Sequence, residues 1–246
     1  MSLEGLCDSS CAGVICYPKL SQKELRRRLR ELERLEIKAV EFTGEKTVHN
    51  VRVLGKGCVG VVVKAFTKNG SAALKIRRTD ADRKEMKHEA EMLKVANSVG
   101  VGPRFLGLSK DFLLMEYVDG VLFPRWLEKA EQKRVIRGVL RSVLEQCWRL
   151  DVKGLDHGEL SHAPKHVIIK DDVPYIVDFE TASTTRRVAN VTAISQYFFI
   201  ANSIAKQIAK KIGEINQERL KQTLKNYKRE KTRKNFETVL KILGLI

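Results

Sequence analysis

Three glycines between two runs of alternating hydrophobicity constrain this chain more than any other feature. In LGKGCVGVVVKA they fall at Gly55, Gly57 and Gly60, with Val62 two residues on. A dinucleotide-binding unit needs strand, glycines, then helix. Here a strand-like run, GVVVKAFT, follows the glycines, so they form a hairpin between strands. Glycine lets backbone N–H groups come close to an anion, and a hairpin of this type suits the phosphates of ATP.

The surrounding periodicity sets the fold class. Ser21 with Glu24 forms a capping-box pattern, and Leu25, Leu29, Leu32 and Leu35 recur at helical spacing, so residues 22–38 read as an amphipathic helix packed on the protein's own body. From about Ile37 to Arg78 the period changes to two. IKAVEFTG, VHNVRVLG, GVVVKAFT and SAALKIRR read as strands, with Asn69-Gly70 as a hairpin signal. Residues 80–97 read as a helix ended by Gly100, Gly102 and Pro103, and RFLGLS and DFLLMEYV as two more strands. Beyond Asp119-Gly120 the chain turns helical. EKAEQKRVIRGVLRSVLEQCWRLDVKG reads as one long helix closing near Gly154, a small β element ends in YIVDFE, and helices fill the rest from about Val191. The fold class is therefore α+β: an antiparallel β half with one helix, then an α-rich half. Expected boundaries are 1–40 for an N-terminal extension with its helix, 41–118 for the β-rich lobe and 119–246 for the helical lobe.

Lys75, in AALK, lies fifteen residues after Gly60 on the next strand. A lysine in an apolar strand costs desolvation unless it is paired. Glu89, in HEAEML on the following helix, is the expected partner, with Glu85 and Glu91 as rivals.

Composition narrows the setting. No run of about 18 apolar residues suggests a membrane span, and the N-terminus lacks a signal-peptide profile, which points to the cytoplasm. Five cysteines, an odd number, favour reduced thiols. Cys7, Cys11 and Cys16 lack a CxxC pair, so a poorly ordered terminus is expected there rather than a metal site. The formal net charge of +16 is uneven: residues 201–246 hold 12 Lys/Arg against 4 Asp/Glu, and KELRRRLRELERLEIK forms a second concentration. Such a field attracts polyanions, RNA or a ribosome included, though solvated helix faces account for it equally well.

Taken with LLMEYVDG, HGELS and VDFE, these residues resemble the protein-kinase superfamily from about Val51 to Glu180. The short HG-x-LS loop and the lack of a long activation segment are most similar to the atypical RIO-type kinases, including archaeal Ser/Thr examples. The resemblance implies a two-lobed kinase-like fold and ATP as substrate with Mg²⁺. It assigns Gly55, Gly57, Gly60 and Val62 to the phosphate side of the nucleotide, Lys75 held by Glu89 to the α/β-phosphates, and backbone atoms from Glu116 to Val118 to adenine. Asp178 in VDFE matches the metal-binding aspartate. His157 matches a loop histidine with a structural task.

Two departures concern HGELSHAPKHVII. Glu159 stands where kinases carry the aspartate that directs the acceptor hydroxyl. The carboxylate and its intrinsic pKa of about 4.3 are kept, but one added methylene shifts it by over about 1 Å, enough to cost on the order of 100-fold in rate if uncompensated. His166 stands before the apolar strand, where a metal-binding asparagine is expected, as is similar to Kdo-type lipopolysaccharide kinases. Mg²⁺ prefers hard oxygen ligands. His166 therefore favours Mn²⁺ or positions a phosphate or Glu159, with Glu180 as a compensating oxygen ligand. Lys165 and His162 can also contact phosphate, but read more simply as solvent-exposed loop residues.

A third departure is the lack of an APE motif after VDFETAS. The expectation is ATP-dependent transfer to a Ser/Thr hydroxyl, with catalytic Glu159, Lys75 and Asp178, and a protein acceptor favoured over a small molecule. The alternatives are a lipid, sugar or other small-molecule phosphotransferase, and an ATP-binding module that grips RNA or a ribosome.

Overall fold

The computed structural model describes residues 1–246 apart from Asp8 and Ala201, and apart from the side chains of Cys7, Ser9, His162 and Ala163. The chain divides into two compact units. One comprises Met1–Glu91 with Arg104–Tyr117, the other Met92–Pro103 with Val118–Ile246.

The first unit begins with helices α1 (Ser9–Ile15) and α2 (Gln22–Arg34). Strands β1 (Ala39–Glu41), β2 (Lys46–Val48), β3 (Val51–Val53), β4 (Gly55–Lys56), β5 (Gly60–Thr67) and β6 (Gly70–Arg77) follow, and helix α3 (Lys87–Asn97) starts in this unit. Strands β7 (Phe105–Leu108) and β8 (Phe112–Glu116) complete it. The main sheet is antiparallel in the order β1-β5-β6-β8-β7, with β4 on β5. Val61, Val63 and Ala65 alternate inward along β5, as a period-two strand with one covered face requires. They share a core with Leu74, Ile76, Phe112, Ile15, Leu25 and Leu32.

Several local expectations are corrected. Cys11, Val14, Ile15 and Cys16 are buried in the core, so the N-terminal segment is packed rather than poorly ordered. The short apolar run CAGVIC gains its order from the sheet beneath it, which local pattern does not reveal. The side chain of Cys7 lies outside the described residues. VHNVRVLG is not one strand. His49 and Asn50, at φ of 47° and 63°, turn β2 back on β3. Helix α2 stops at Arg34 rather than residue 38, before Glu36 at φ 56°. Helix α3 starts at Lys87 rather than residue 80, and Asp80 pairs instead with Arg78 at 2.7 Å.

Ser21 occupies the N-cap of α2 but makes no side-chain cap bond. Glu24 is drawn instead to Arg27 and Arg28, at 2.5 and 2.9 Å. Arg28 is fully buried and donates to the carbonyls of Ile15 and Arg77, at 2.5 and 2.8 Å, with Asp111 at 3.5 Å. Asp111, also fully buried, pairs with Arg27 and Arg77. Glu31 receives Ser109 Oγ at 2.7 Å and the Asp111 N–H at 3.0 Å. A buried charge is tolerated only when paired in this way, so the network rivets α2 to the β7–β8 turn at the start of β8. Hydrogen bonding from Arg27, then from Arg28, outweighs burial and holds the Glu24 carboxyl down at about 2. A depressed carboxylate pKa stabilises the fold above its unfolded value and loses that contribution as pH falls toward the folded one. Thermal unfolding of wild type and Glu24→Gln should accordingly differ most above pH 4.5 and converge toward pH 2.

The second unit takes the remainder of α3, then β9 (Val121–Leu122), α4 (Phe123–Lys129), α5 (Lys133–Lys153), β10 (Val167–Lys170) and β11 (Val173–Ile176). Helices α6 (Asn190–Phe199), α7 (Ser203–Ile212), α8 (Gln217–Arg229) and α9 (Arg233–Ile242) follow. The expected single long helix is two. Ala130 leaves helical geometry at ψ 124°, and α5 restarts after Gln132. It ends at Gly154, φ 79°, a left-handed C-cap. A small sheet in the order β11-β10-β9 carries the loop between α5 and β10. Among the described residues no helix is long and apolar enough to cross a membrane.

Candidate active site

In the first unit, register places Val62 opposite Lys75 and Gly60 opposite Arg77. Lys75 is 5% exposed, and its Nζ lies 2.9 and 2.8 Å from the two carboxylate oxygens of Glu89, itself 4% exposed. Glu85 and Glu91, the rivals, are both exposed. A Cβ at Gly60 would meet the Lys75 stem at 3.1 Å and the Ile76 carbonyl at 3.0 Å, so glycine here clears the path of Lys75 across the sheet. At Gly55 and Gly57 an added Cβ would meet only ordinary contacts of 3.5 Å or more. Packing within the protein therefore explains one glycine of the three. Val62 is partly buried. The Glu116 carboxylate receives the Arg104 N–H at 3.1 Å, and its own N–H donates to the Arg104 carbonyl at 2.8 Å. Val118 opens the longer segment of the second unit, and its carbonyl accepts the Gly120 N–H at 3.0 Å.

The second unit gathers Glu159, His166 and Asp178, whose ligand atoms all lie within 4.8 Å of one another. His166 Nε2 is 3.0 Å from Glu159 and Nδ1 is 3.8 Å from Asp178. A carboxylate accepts, so Nε2 carries the proton of that contact. Nδ1 is buried with no hydrogen-bond partner among the described residues. Asp178 sits at φ 69°, a left-handed conformation uncommon for a non-glycine residue and associated with functional sites. Glu180 is partly buried, and a carboxylate oxygen of it lies within 4.8 Å of one of Asp178. Lys165 is exposed, and the side chain of His162 is outside the described residues.

His157 beneath this set is fully buried. Its Nε2 meets the Val177 carbonyl at 3.0 Å, and its ring lies 5.1 Å from Phe179 and 5.3 Å from His166. Burial lowers its pKa to about 4, so the ring is a neutral packing element at ordinary pH.

Residues the sequence reading passed over hold the loop. Asn190 accepts the His157 N–H at 2.8 Å and donates to Asp151 at 2.9 Å and to the Leu155 carbonyl at 2.7 Å. Asp151 also receives Tyr227 Oη at 2.9 Å, and burial raises its pKa. Arg186 pairs with Asp156 at 2.6 Å and bonds the Thr181 carbonyl at 3.0 Å. Most of these partners are 30 or more residues apart, and only Asp156, next to His157, carries a local hint. Gly158 is a tight point of the loop, at φ 93°, where a Cβ would meet Arg186 and Thr181 Oγ1 at 2.5 and 2.9 Å. Gly158→Ala should cost about 1–3 kcal/mol, read as a lowered urea midpoint.

The RIO domain family matches residues 60–195, more than half of the chain. The chain belongs to the RIO-domain family. This is an atypical, kinase-like family, and the match takes in Gly60, Lys75, Glu89, Glu159, His166 and Asp178 while leaving out Gly55 and Gly57. An uncharacterized protein of Methanocaldococcus jannaschii is 27% identical over 99 residues, which cover 40% of this RIO-domain chain and 84% of that protein. The mixed α+β architecture, with its β-rich and helical units, is that of a RIO kinase-like fold.

Proposed function

We propose that this RIO-domain protein transfers the γ-phosphoryl group of ATP to a serine or threonine hydroxyl. The observation that carries this reading is the buried Lys75–Glu89 pair beside Gly60. An ammonium held this way is a fixed point charge for the α/β-phosphates. Gly55 and Gly57 add support, since their lack of side chains meets no need of the protein's own packing and suits close approach of a phosphate. Backbone atoms from Glu116 to Val118 then take adenine, and Val62 packs on the nucleotide.

A divalent ion fits the second unit. The donor set is one buried imidazole nitrogen lacking a hydrogen bond among the described residues, together with carboxylate oxygens. Asp178 and His166 would hold the ion, with Glu180 as a further oxygen, and the nitrogen makes Mn²⁺ a better match than Mg²⁺. When bound, such an ion neutralises charge on the phosphate oxygens. The protein's own groups do the rest. His166 Nε2–H donates to Glu159 and keeps its carboxylate in one orientation. Glu159 takes the proton of the acceptor hydroxyl as its oxygen bonds to the γ-phosphorus and ADP departs. His166 thus gives the longer Glu159 side chain the fixed position that its extra methylene would otherwise forfeit.

The test is transfer of label from γ-labelled ATP, with Mg²⁺ and Mn²⁺ in parallel, to protein acceptors and to hydroxylated small molecules. Label on serine or threonine is the expected result. Label confined to small molecules would move the assignment to a sugar or lipid phosphotransferase. ATP binding without transfer, joined to salt-sensitive retention of RNA on the exposed lysines and arginines of α7–α9, would identify a nucleotide-gated binding module.

A further inference from the structure

Tyr17, in the segment between α1 and α2, touches the glycine hairpin through two cations. Lys56 Nζ, on β4, lies 4.9 Å from the centre of its ring, and the Arg78 guanidinium carbon, just beyond β6, lies 5.0 Å from it. Arg78 in turn holds the tip of the hairpin by two oxygens: its backbone N–H donates to the Val59 carbonyl at 2.8 Å and its Nη1 to the Gly57 carbonyl at 3.3 Å. The tip closes on itself where the Gly57 N–H donates to the Gly60 carbonyl at 2.8 Å. Residues 56–58 are exposed, so little apolar burial fixes them. Hairpin tips of this kind are drawn from the low-stability end of a fold.

Tyr17 itself is firmly seated. Its carbonyl receives both the N–H and the Oγ1 of Thr79, at 2.7 and 3.2 Å, and its ring packs edge-on to His49 with centres 5.3 Å apart. Upstream, buried Arg28 fixes the Ile15 carbonyl. The ring is therefore a fixed face against which two cations rest, and Arg78, paired on its other side with Asp80 at 2.7 Å, carries that placement to the hairpin carbonyls.

We infer that Tyr17 is a positioning residue for nucleotide binding: it holds Arg78 and Lys56 so that the hairpin tip is preorganised for the polyphosphate. This rests on the nucleotide reading above. A preorganised site binds more tightly because less ordering is left to be done on binding. The segment before the family match thereby tunes affinity without touching the ligand.

Tyr17→Leu removes the π face and keeps apolar bulk, while Tyr17→Phe keeps the face. Two measurements separate the inference from the reading it rests on. Amide hydrogen exchange over residues 55–60, without nucleotide, should quicken in Tyr17→Leu and stay at the wild-type rate in Tyr17→Phe. The dissociation constant for ATP with Mn²⁺, by titration calorimetry, should rise about three- to tenfold in Tyr17→Leu and recover in Tyr17→Phe. Unchanged exchange in a folded Tyr17→Leu overturns the inference, as does faster exchange with unaltered ATP affinity. A wild type that does not bind ATP overturns the nucleotide reading, while the exchange result still decides whether Tyr17 orders the tip. Should Tyr17→Leu fail to fold by circular dichroism, Arg78→Gln cuts the same link from the hairpin side and is held to the same outcomes.

Discussion

Asp178→Asn should lower phosphoryl transfer by about 100- to 1000-fold while leaving the urea midpoint close to wild type. Two observations separate the effects. The Asp178 side chain is 41% exposed, so the exchange removes little packing. Its φ of 69° is one that asparagine adopts as readily as aspartate. What disappears is a formal charge and a hard oxygen donor facing His166 Nδ1. Label transfer under saturating ATP with Mg²⁺ or Mn²⁺ measures the loss. Transfer within a few-fold of wild type would remove Asp178 from the proposed metal set.

The second large effect lies in the first unit. Lys75→Met deletes the ammonium that faces Glu89, leaving a carboxylate 4% exposed without that countercharge. Breaking one side of a buried ion pair typically costs about 3–5 kcal/mol, so the urea midpoint should drop sharply and ATP binding should be lost. The double substitution Lys75→Met with Glu89→Met should regain most of the stability, because two apolar side chains replace the pair. It should not regain ATP binding. A double variant that binds ATP like wild type would reduce the pair to a structural feature and undercut the nucleotide reading.

How much of this was legible depended on how local each signal was. The glycine hairpin, Lys75 on the next strand and Glu89 in the first turn of α3 follow from period and spacing, and their contact requires only that strand and helix take up their patterns. The placing of Glu159, His166 and Asp178 together was suggested by the motif order HGELS and VDFE, but the hydrogen bond between His166 and Glu159 was only one of several roles the residue types allowed. Asp151, Asn190 and Tyr227 were not legible. Their hydrogen bonds join residues up to 76 positions apart, and no periodicity marks a side chain that bonds across a fold. The Ala130 break between α4 and α5 was missed for the opposite reason. No proline or glycine punctuates the stretch from Glu128 to Lys133, and at the break the Ala130 carbonyl accepts from the distant Lys211 Nζ at 2.6 Å.

The riveting of α2 to β8 bears on where this molecule could be cut. Recognisable likeness to the family begins at Gly60, yet Asp111, well inside that stretch, depends on Arg27 and Arg28 outside it. Asp151 likewise leans on Tyr227, past the other limit at residue 195. A fragment trimmed to the recognisable span would carry one buried carboxylate stripped of two guanidinium partners and another missing its phenol. A fragment limited to residues 60–195 should therefore unfold at a lower urea concentration than the full chain. Anyone expressing the protein in part should set the ends by its buried charges and leave the limits of resemblance aside.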